Sequence, residues 1–253
     1  MGIVLNEREW AENMILARQL GKKPIETLSR VARYYCQIEG YSKKAVRNKI
    51  EEFLIQCDPG VILVKWGDIL DRITKTADKY PLIQVDGVDV TEAELDVIKS
   101  LNGKQLQRLA FTLLCVAKYW NLAQPNNNDW VNTSDKDIMK MANVSTSVQR
   151  QSLMLHDMNK ADIIGFSKRV DSLNLQVKFI ENKSPVKLHI TDFRNLGSQY
   201  LMFCGESYFQ CENCGITIKK RSNVQKYCPD CAAEMYIRKS VESVMRKRSN
   251  ERD

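Results

Sequence analysis

Four cysteines stand in two tight pairs near the carboxyl end, Cys211 with Cys214 and Cys228 with Cys231, and 13 residues separate the pairs. Each pair is followed by a small residue, Gly215 or Ala232, that leaves the backbone free to fold round an ion. Four thiolates at this spacing suit a tetrahedral Zn2+, with sulfur at roughly 2.3 Å and no position open to a substrate. The expected cofactor is one structural zinc, contributing folding energy to a segment too small to bury a core of its own. A redox dithiol pair, two unrelated surface pairs and an iron–sulfur cluster are the other readings of four such cysteines. A redox Cys-x-x-Cys usually stands alone beside a larger sheet, and two knuckles round a basic hairpin suit zinc better than a cluster.

Between the pairs, Ile216-Thr217-Ile218 reads as a strand, and Lys219, Lys220 and Arg221 lead into a basic turn. After Cys231 a helix is expected through Met235, Ile237, Val241 and Met245, ringed by Arg238, Lys239, Arg246, Lys247, Arg248 and Arg252. Four thiolates and one divalent ion together contribute about −2. Attraction for an anion must therefore come from the turn and the tail, although a basic tail is often only a solvated helix.

A second candidate site lies upstream. Ser134 followed by Asp137 caps a short helix, Asn143-Val144 breaks it, and Ser145 is expected to cap a second helix reaching about Lys160. Val148, Leu155 and Met158 recur along one face of that second helix. A strand hairpin should follow, Ile163 to Lys168 paired with Asn174 to Ile180, with Arg169 to Leu173 at its tip. With the apolar helix expected at 104–122, this order resembles the winged helix-turn-helix family, and Val148, Arg150, Leu155, Met158 and Ile164 carry the match. Asp162 departs from the pattern, standing where the family commonly has Gly.

The resemblance implies a role for each exposed position. The second helix would enter the major groove and present Thr146, Ser147, Gln149, Arg150 and Gln151 to base edges. Gln can donate and accept toward adenine and Arg can fork onto guanine, each such pair worth roughly 1–3 kcal/mol of discrimination. Lys168 and Arg169 on the wing would neutralise phosphates, which positions the fold without reading sequence. The same core could instead serve protein contacts or dimerisation, since fold alone does not assign function.

These sites must be positioned by a chain that reads as mainly α with small β elements. Residues 1–80 are punctuated as a helical bundle: Asn6 with Glu9 as a capping box, Gly21 as a stop, Pro24 at a first helical position, Gly40 as a second stop and Ser42 as a cap. A fourth helix is expected from about Val64 to Ala77. The texture then changes to Pro81–Val85 and Val88–Val90 around Asp86-Gly87, a dipeptide that favours a tight hairpin. This places a winged helix-turn-helix-like domain over 81–183, a connecting strand or loop segment over 184–206, and the zinc ribbon with its basic helix over 207–253.

Composition narrows the classes further. Apolar residues make up 43% and charged residues 27%, as in ordinary globular proteins, and 38 basic against 31 acidic side chains leave a net charge of +7 that favours anionic partners only where it is concentrated. No run approaches the roughly 20 apolar residues of a membrane span. The start of the chain lacks the basic, apolar character of a secretory signal, and Asn6 stands where a myristoylation signal wants Ser or Thr, so a cytoplasmic location with reduced thiols is expected. The two histidines, His156 and His189, lie outside any nucleophile or ligand motif, and neither a Walker loop nor a dinucleotide fingerprint occurs. Asp68 with Asp71 and Glu51 with Glu52 read as solvated helix faces rather than as an Mg2+ site. No catalysis is expected.

Lys226-Tyr227-Cys228-Pro229-Asp230-Cys231-Ala232 followed by a basic helix resembles the carboxy-terminal zinc ribbons of phage and mobile-element proteins from Gram-positive bacteria. Leu109 to Leu114 and Asp192-Phe193-Arg194-Asn195-Leu196 are similar to uncharacterised members of the same group, and residues 24–80 resemble helical domains appended to phage primases. These likenesses imply a zinc-containing protein of a bacterial host cell that binds duplex DNA as a regulator or replication accessory factor. A phage-encoded inhibitor that binds a host or phage protein, such as a defence complex, is the alternative of a different class.

Overall fold

A computed structural model describes residues 3–167 and 174–250, the stretch 244–250 as backbone only. It is mainly helical with small antiparallel sheets, and it divides into two compact units, Gly2–Asp86 and Gly87–Asp253.

The first unit holds α1 (Glu7–Ala17), α2 (Pro24–Gln37), α3 (Lys43–Cys57), a single 3-10 turn (Leu63–Lys65) and α4 (Gly67–Thr76). Short polar side chains start two of these helices: Asn6 accepts from the Glu9 N–H and Ser42 from the Ala45 N–H, while Pro24 supplies the fixed φ that opens α2. Leu28, Val31, Val46, Ile50, Leu54 and Leu70 meet in one apolar core. The expected stop at Gly21 comes earlier, because Arg18 takes the left-handed conformation (φ 50°) and ends α1.

The hairpin expected around Asp86-Gly87 does not form. The Val85 N–H donates to the Leu5 carbonyl at 2.9 Å and the Glu7 N–H to the Ile83 carbonyl at 2.8 Å, so 81–85 lies along the start of the chain. Glu7 anchors that arrangement from a buried position, accepting from Arg30, Arg33 and the Ile83 N–H.

The second unit begins with β1 (Val88–Thr91) and α5 (Glu92–Ser100), continues through α6 (Lys104–Ala123) and β2 (Trp130–Val131), and then carries α7 (Asp135–Met141) and α8 (Val148–Lys160). It goes on with β3 (Ile164–Phe166), β4 (Leu175–Val177), β5 (Val186–Ile190), α9 (Leu196–Phe203), β6 (Tyr208–Gln210), β7 (Thr217–Lys219) and α10 (Pro229–Asn250). Helix α6 is buried on all sides from Leu109 to Tyr119, as a central helix should be. Even Lys118 is buried there, its Nζ 2.8 Å from the Glu94 carboxylate and 2.7 Å from the Asp89 carbonyl.

Glu94 in turn caps α5 through the Thr91 N–H and accepts from the Glu181 N–H. Among the described residues the strands form three antiparallel sheets: β1 with β5, β2-β4-β3 with β4 in the middle, and β6 with β7.

The segment 184–206, expected as a connection, is built into this unit. Strand β5 pairs with β1 in the register Val88↔Ile190, and α9 buries Leu196 and Tyr200, the Tyr200 ring lying 5.3 Å from that of Phe111 on α6. Gly197 lets the start of α9 lie against the end of α7, since a Cβ there would stand 2.1 Å from the Ala142 carbonyl oxygen.

Helix α8 starts at Val148 rather than at Ser145, because Ser147 is the residue whose hydroxyl accepts from the Arg150 N–H. That start leaves Val148 77% exposed, and the apolar face is formed by Met154, Leu155 and Met158. The following strands pair as Ile164↔Val177 and Phe166↔Leu175, a shorter ladder than expected. Asp162, before them, adopts the left-handed conformation (φ 57°) that Gly would supply, and its carboxylate pairs with Lys178.

Candidate metal centre and nucleic-acid interface

The four paired cysteines converge. Strands β6 and β7 pair from Tyr208↔Lys219 to Gln210↔Thr217, which sets the first cysteine pair at the end of β6, and α10 begins beside the second. Gly215 makes the tight knuckle with φ 73°, its N–H donating to the Cys211 carbonyl at 2.9 Å, while the Glu212 N–H reaches the Lys226 carbonyl at 3.0 Å.

All four Sγ atoms lie within 4.8 Å of one another, and three of the cysteines are buried. A tetrahedron of sulfurs at about 2.3 Å from zinc has edges of about 3.8 Å. The Cys214 and Cys228 sulfurs are 3.8 Å apart, which fits such an edge and is far from a disulfide. None of the eight cysteines is in a disulfide. Sulfurs this close surround a single ion and leave no space between them for the irons and sulfides of a cluster. The group can hold one metal ion, with no position left for a substrate.

Charge argues in the same direction. Burial opposes a thiolate at Cys211, but the backbone N–H groups of Cys214, Cys228 and Asn213 outweigh it and bring that thiol down to about 6. At Cys231 the Asn213 amide favours the thiolate, with Nδ2 at 3.3 Å from Sγ, yet the surrounding sulfurs prevail and push it up to about 12. One thiolate is welcome in this cage and further ones repel it. A divalent cation removes the conflict, and its binding releases the remaining protons.

The ribbon is tied to the helical body by residues that its cysteine pattern does not announce. Arg194, before α9, donates to the Cys214 carbonyl and is held by Asp192, and Asn195 donates to the Thr217 carbonyl at 3.3 Å. Both belong to the Asp192 to Leu196 stretch, whose sequence signal is an Asp-x-Arg pair just ahead of an apolar run.

Lys219 and Arg221 are exposed on the ribbon and Lys220 is half-buried; among the described residues none of the three forms an ion pair. Helix α10 projects with nearly every described side chain exposed, Tyr236 and Ile237 included.

The five positions expected to face DNA separate into two groups. Gln149 and Arg150 are exposed on the first turn of α8. Ser147 is engaged as the cap, and Gln151 turns back to donate to the Thr146 carbonyl at 3.0 Å. Thr146 is half-buried ahead of the helix. Lys168 and Arg169 lie outside the described residues. His156 is exposed on α8 beside the Phe166 ring, and His189 is exposed on β5, its Nδ1 2.7 Å from Asp89. Among the described residues no helix is long and apolar enough to cross a membrane.

Comparison with models of protein families, with curated proteins and with solved structures finds no match to this chain.

Proposed function

We propose that the chain is a zinc-stabilised, non-enzymatic protein of phage or mobile-element type that binds duplex DNA in the bacterial cytoplasm, as a regulator or replication accessory factor. In this reading 104–177 is a winged helix-turn-helix, α8 is the helix that enters the major groove, and Cys211, Cys214, Cys228 and Cys231 hold one structural Zn2+.

One observation carries the DNA reading. The order α6, β2, α7, α8, β3, β4, with β4 central in its sheet, leaves the first turn of α8 free of the core and Gln149 and Arg150 exposed on it. The left-handed Asp162 supports the same fold, because it keeps the backbone conformation of the Gly it replaces. Gln149 and Arg150 are the base readers; Thr146, Ser147 and Gln151 support the backbone that presents them. Lys168, Arg169, Lys219, Lys220 and Arg221 supply phosphate contacts.

The test is selection of bound sequences from a random duplex pool by the full chain, followed by Arg150→Ala. The expected result is a defined preference that relaxes at one position by about 1–3 kcal/mol in the variant. Absence of duplex affinity even near 50 mM salt, roughly the permissive end of the usual range, overturns it.

A second reading has its own observation. Val148 is 77% and Leu153 53% exposed on α8, apolar surface that a protein partner would cover better than a base edge. Under that reading the same helix binds a host protein, and the protein acts as an inhibitor. Loss of a purified partner complex in Val148→Asp, with no duplex binding by the wild type, would favour it.

A further inference from the structure

The loop between α6 and β2 borders an open pocket of about 400 Å3, within the roughly 300–1,000 Å3 of sites that take small organic ligands. Five of the residues lining it carry a primary amide: Gln124, Asn126 and Asn127 from the loop, Asn132 just after β2, and Asn174 just before β4. The half-buried Trp130 adds an indole, and among the described residues no charged side chain lines the pocket.

The amides are held from below. Asn127 is buried and uses its whole side chain: Nδ2 donates to the Asn121 Oδ1 at 3.0 Å and to the Trp130 carbonyl at 2.7 Å, while Oδ1 accepts from the Asn132 Nδ2 at 2.5 Å. Asn121 also fixes Asp129, accepting from its N–H at 3.0 Å and donating to its carboxylate at 2.7 Å. Asn128 and Asp129 are both left-handed (φ 52° and 66°), a conformation that persists in two successive side-chain-bearing residues only where the surroundings impose it. At the rim, Gln124 and Asn126 are exposed, and among the described residues neither side chain forms a hydrogen bond.

An amide presents a donor and an acceptor side by side in one plane. The edge of a base does the same, which is why Asn and Gln pair with adenine through two points. An indole offers a stacking face to any base. A pocket without a cation gives a phosphate no charged partner, and one without a carboxylate gives the hydroxyls of a sugar no charged acceptor. We infer that this pocket binds an unpaired nucleobase, stacked on Trp130 with its edge turned to the free amides of Gln124 and Asn126. No residue of α8 takes part, so the site is independent of duplex reading by that helix.

The experiment follows the indole N–H resonances of the four tryptophans in the full chain during titration with each of the four deoxynucleosides. These probes carry no phosphate and so ignore basic surfaces elsewhere. Trp130→Phe assigns the Trp130 signal. The expected result is a saturable shift of that signal by at least one nucleoside, with Trp10 and Trp66 unmoved. Gln124→Ala and Asn126→Ala should each raise the dissociation constant about threefold to tenfold, the worth of one hydrogen bond. Both side chains are exposed, so the variants should fold, which circular dichroism verifies.

A second arm compares a single strand, a duplex with one bulged base and a fully paired duplex. Either of the first two should move the Trp130 signal, and the tighter of them names the source of the base; the paired duplex should leave it in place. No shift with any nucleoside, a shift that both variants leave unchanged, or an equal shift by the paired duplex overturns the site. A shift by maltose as large as that by the nucleosides would assign the pocket to sugars and would also overturn it.

Discussion

Arg194 donates from Nη2 to the carbonyl oxygen of Cys214 at 2.5 Å, while the same guanidinium is gripped by Asp192 through Nε and Nη2. A backbone carbonyl inside the metal knuckle is thus held by a side chain rooted just ahead of α9, whose own face packs on α6. Burial of the guanidinium works against its charge, but the Asp192 hydrogen bonds come first and hold its pKa above the ordinary arginine value. The Arg194 guanidinium therefore keeps its charge at every physiological pH.

Two variants should separate the metal from this clamp. Cys214→Ser removes a ligand, so elemental analysis should fall from one zinc per chain to none and the segment from β6 to the start of α10 should unfold, with the helical remainder intact. Arg194→Ala should keep the zinc and lose both the bond to the Cys214 carbonyl and the Asp192 pair, at a half-exposed position where such interactions are worth about 1 kcal/mol. Its signature is faster amide exchange from Cys211 to Thr217 at unchanged metal content. Wild-type protein without metal would contradict the zinc assignment.

The Glu94–Lys118 pair gives a second expectation. Glu94 is fully buried and touches Lys118, the Thr91 N–H and the Glu181 N–H, so it joins α5, α6, β1 and the approach to β5. Lys118→Met fits the space but leaves a carboxylate without its cation, at a cost of about 3–5 kcal/mol. The double variant with Glu94→Gln should recover part of that loss. Urea unfolding followed through Trp120 and Trp130, both in this unit, measures each step; a single variant as stable as the wild type would show that the pair contributes nothing.

Which parts of this were legible in the sequence follows from the range of each interaction. The caps at Asn6, Ser42 and Ser134 are visible because a short polar side chain reaches an N–H only three residues on. The cysteine cage is equally visible, because two short spacings supply all four of its thiols. The start of α8 is ambiguous in Ser145-Thr146-Ser147, where several residues can cap and only backbone geometry selects Ser147. The partners of β1 and of Tyr200 lie about a hundred residues away, so local texture at Asp86-Gly87 suggested a hairpin where the chain instead makes two distant pairings. Helix α9 has only eight residues, with Gly197, Ser198 and Gln199 together near its start, which leaves little periodicity to read.

Glu7 provides a prediction in pH. Burial alone would raise its pKa, but the Arg33 hydrogen bond and charge, the Ile83 N–H and the Arg30 hydrogen bond together hold it below the usual 4.5. A carboxyl whose folded-state pKa is depressed is protonated more readily in the unfolded chain. Its contribution is therefore complete above the unfolded value and is lost as the pH falls through the folded one. Glu7→Gln keeps the shape and removes the charge facing two guanidinium groups, a break of the kind that costs about 3–5 kcal/mol when buried. The difference in urea midpoint between wild type and variant should be full at neutral pH and should shrink steadily once the pH drops below 4.5. A difference that stays constant into acid would mean that Glu7 acts only as a neutral acceptor for Arg30, Arg33 and Ile83, and that its charge contributes nothing to the first unit.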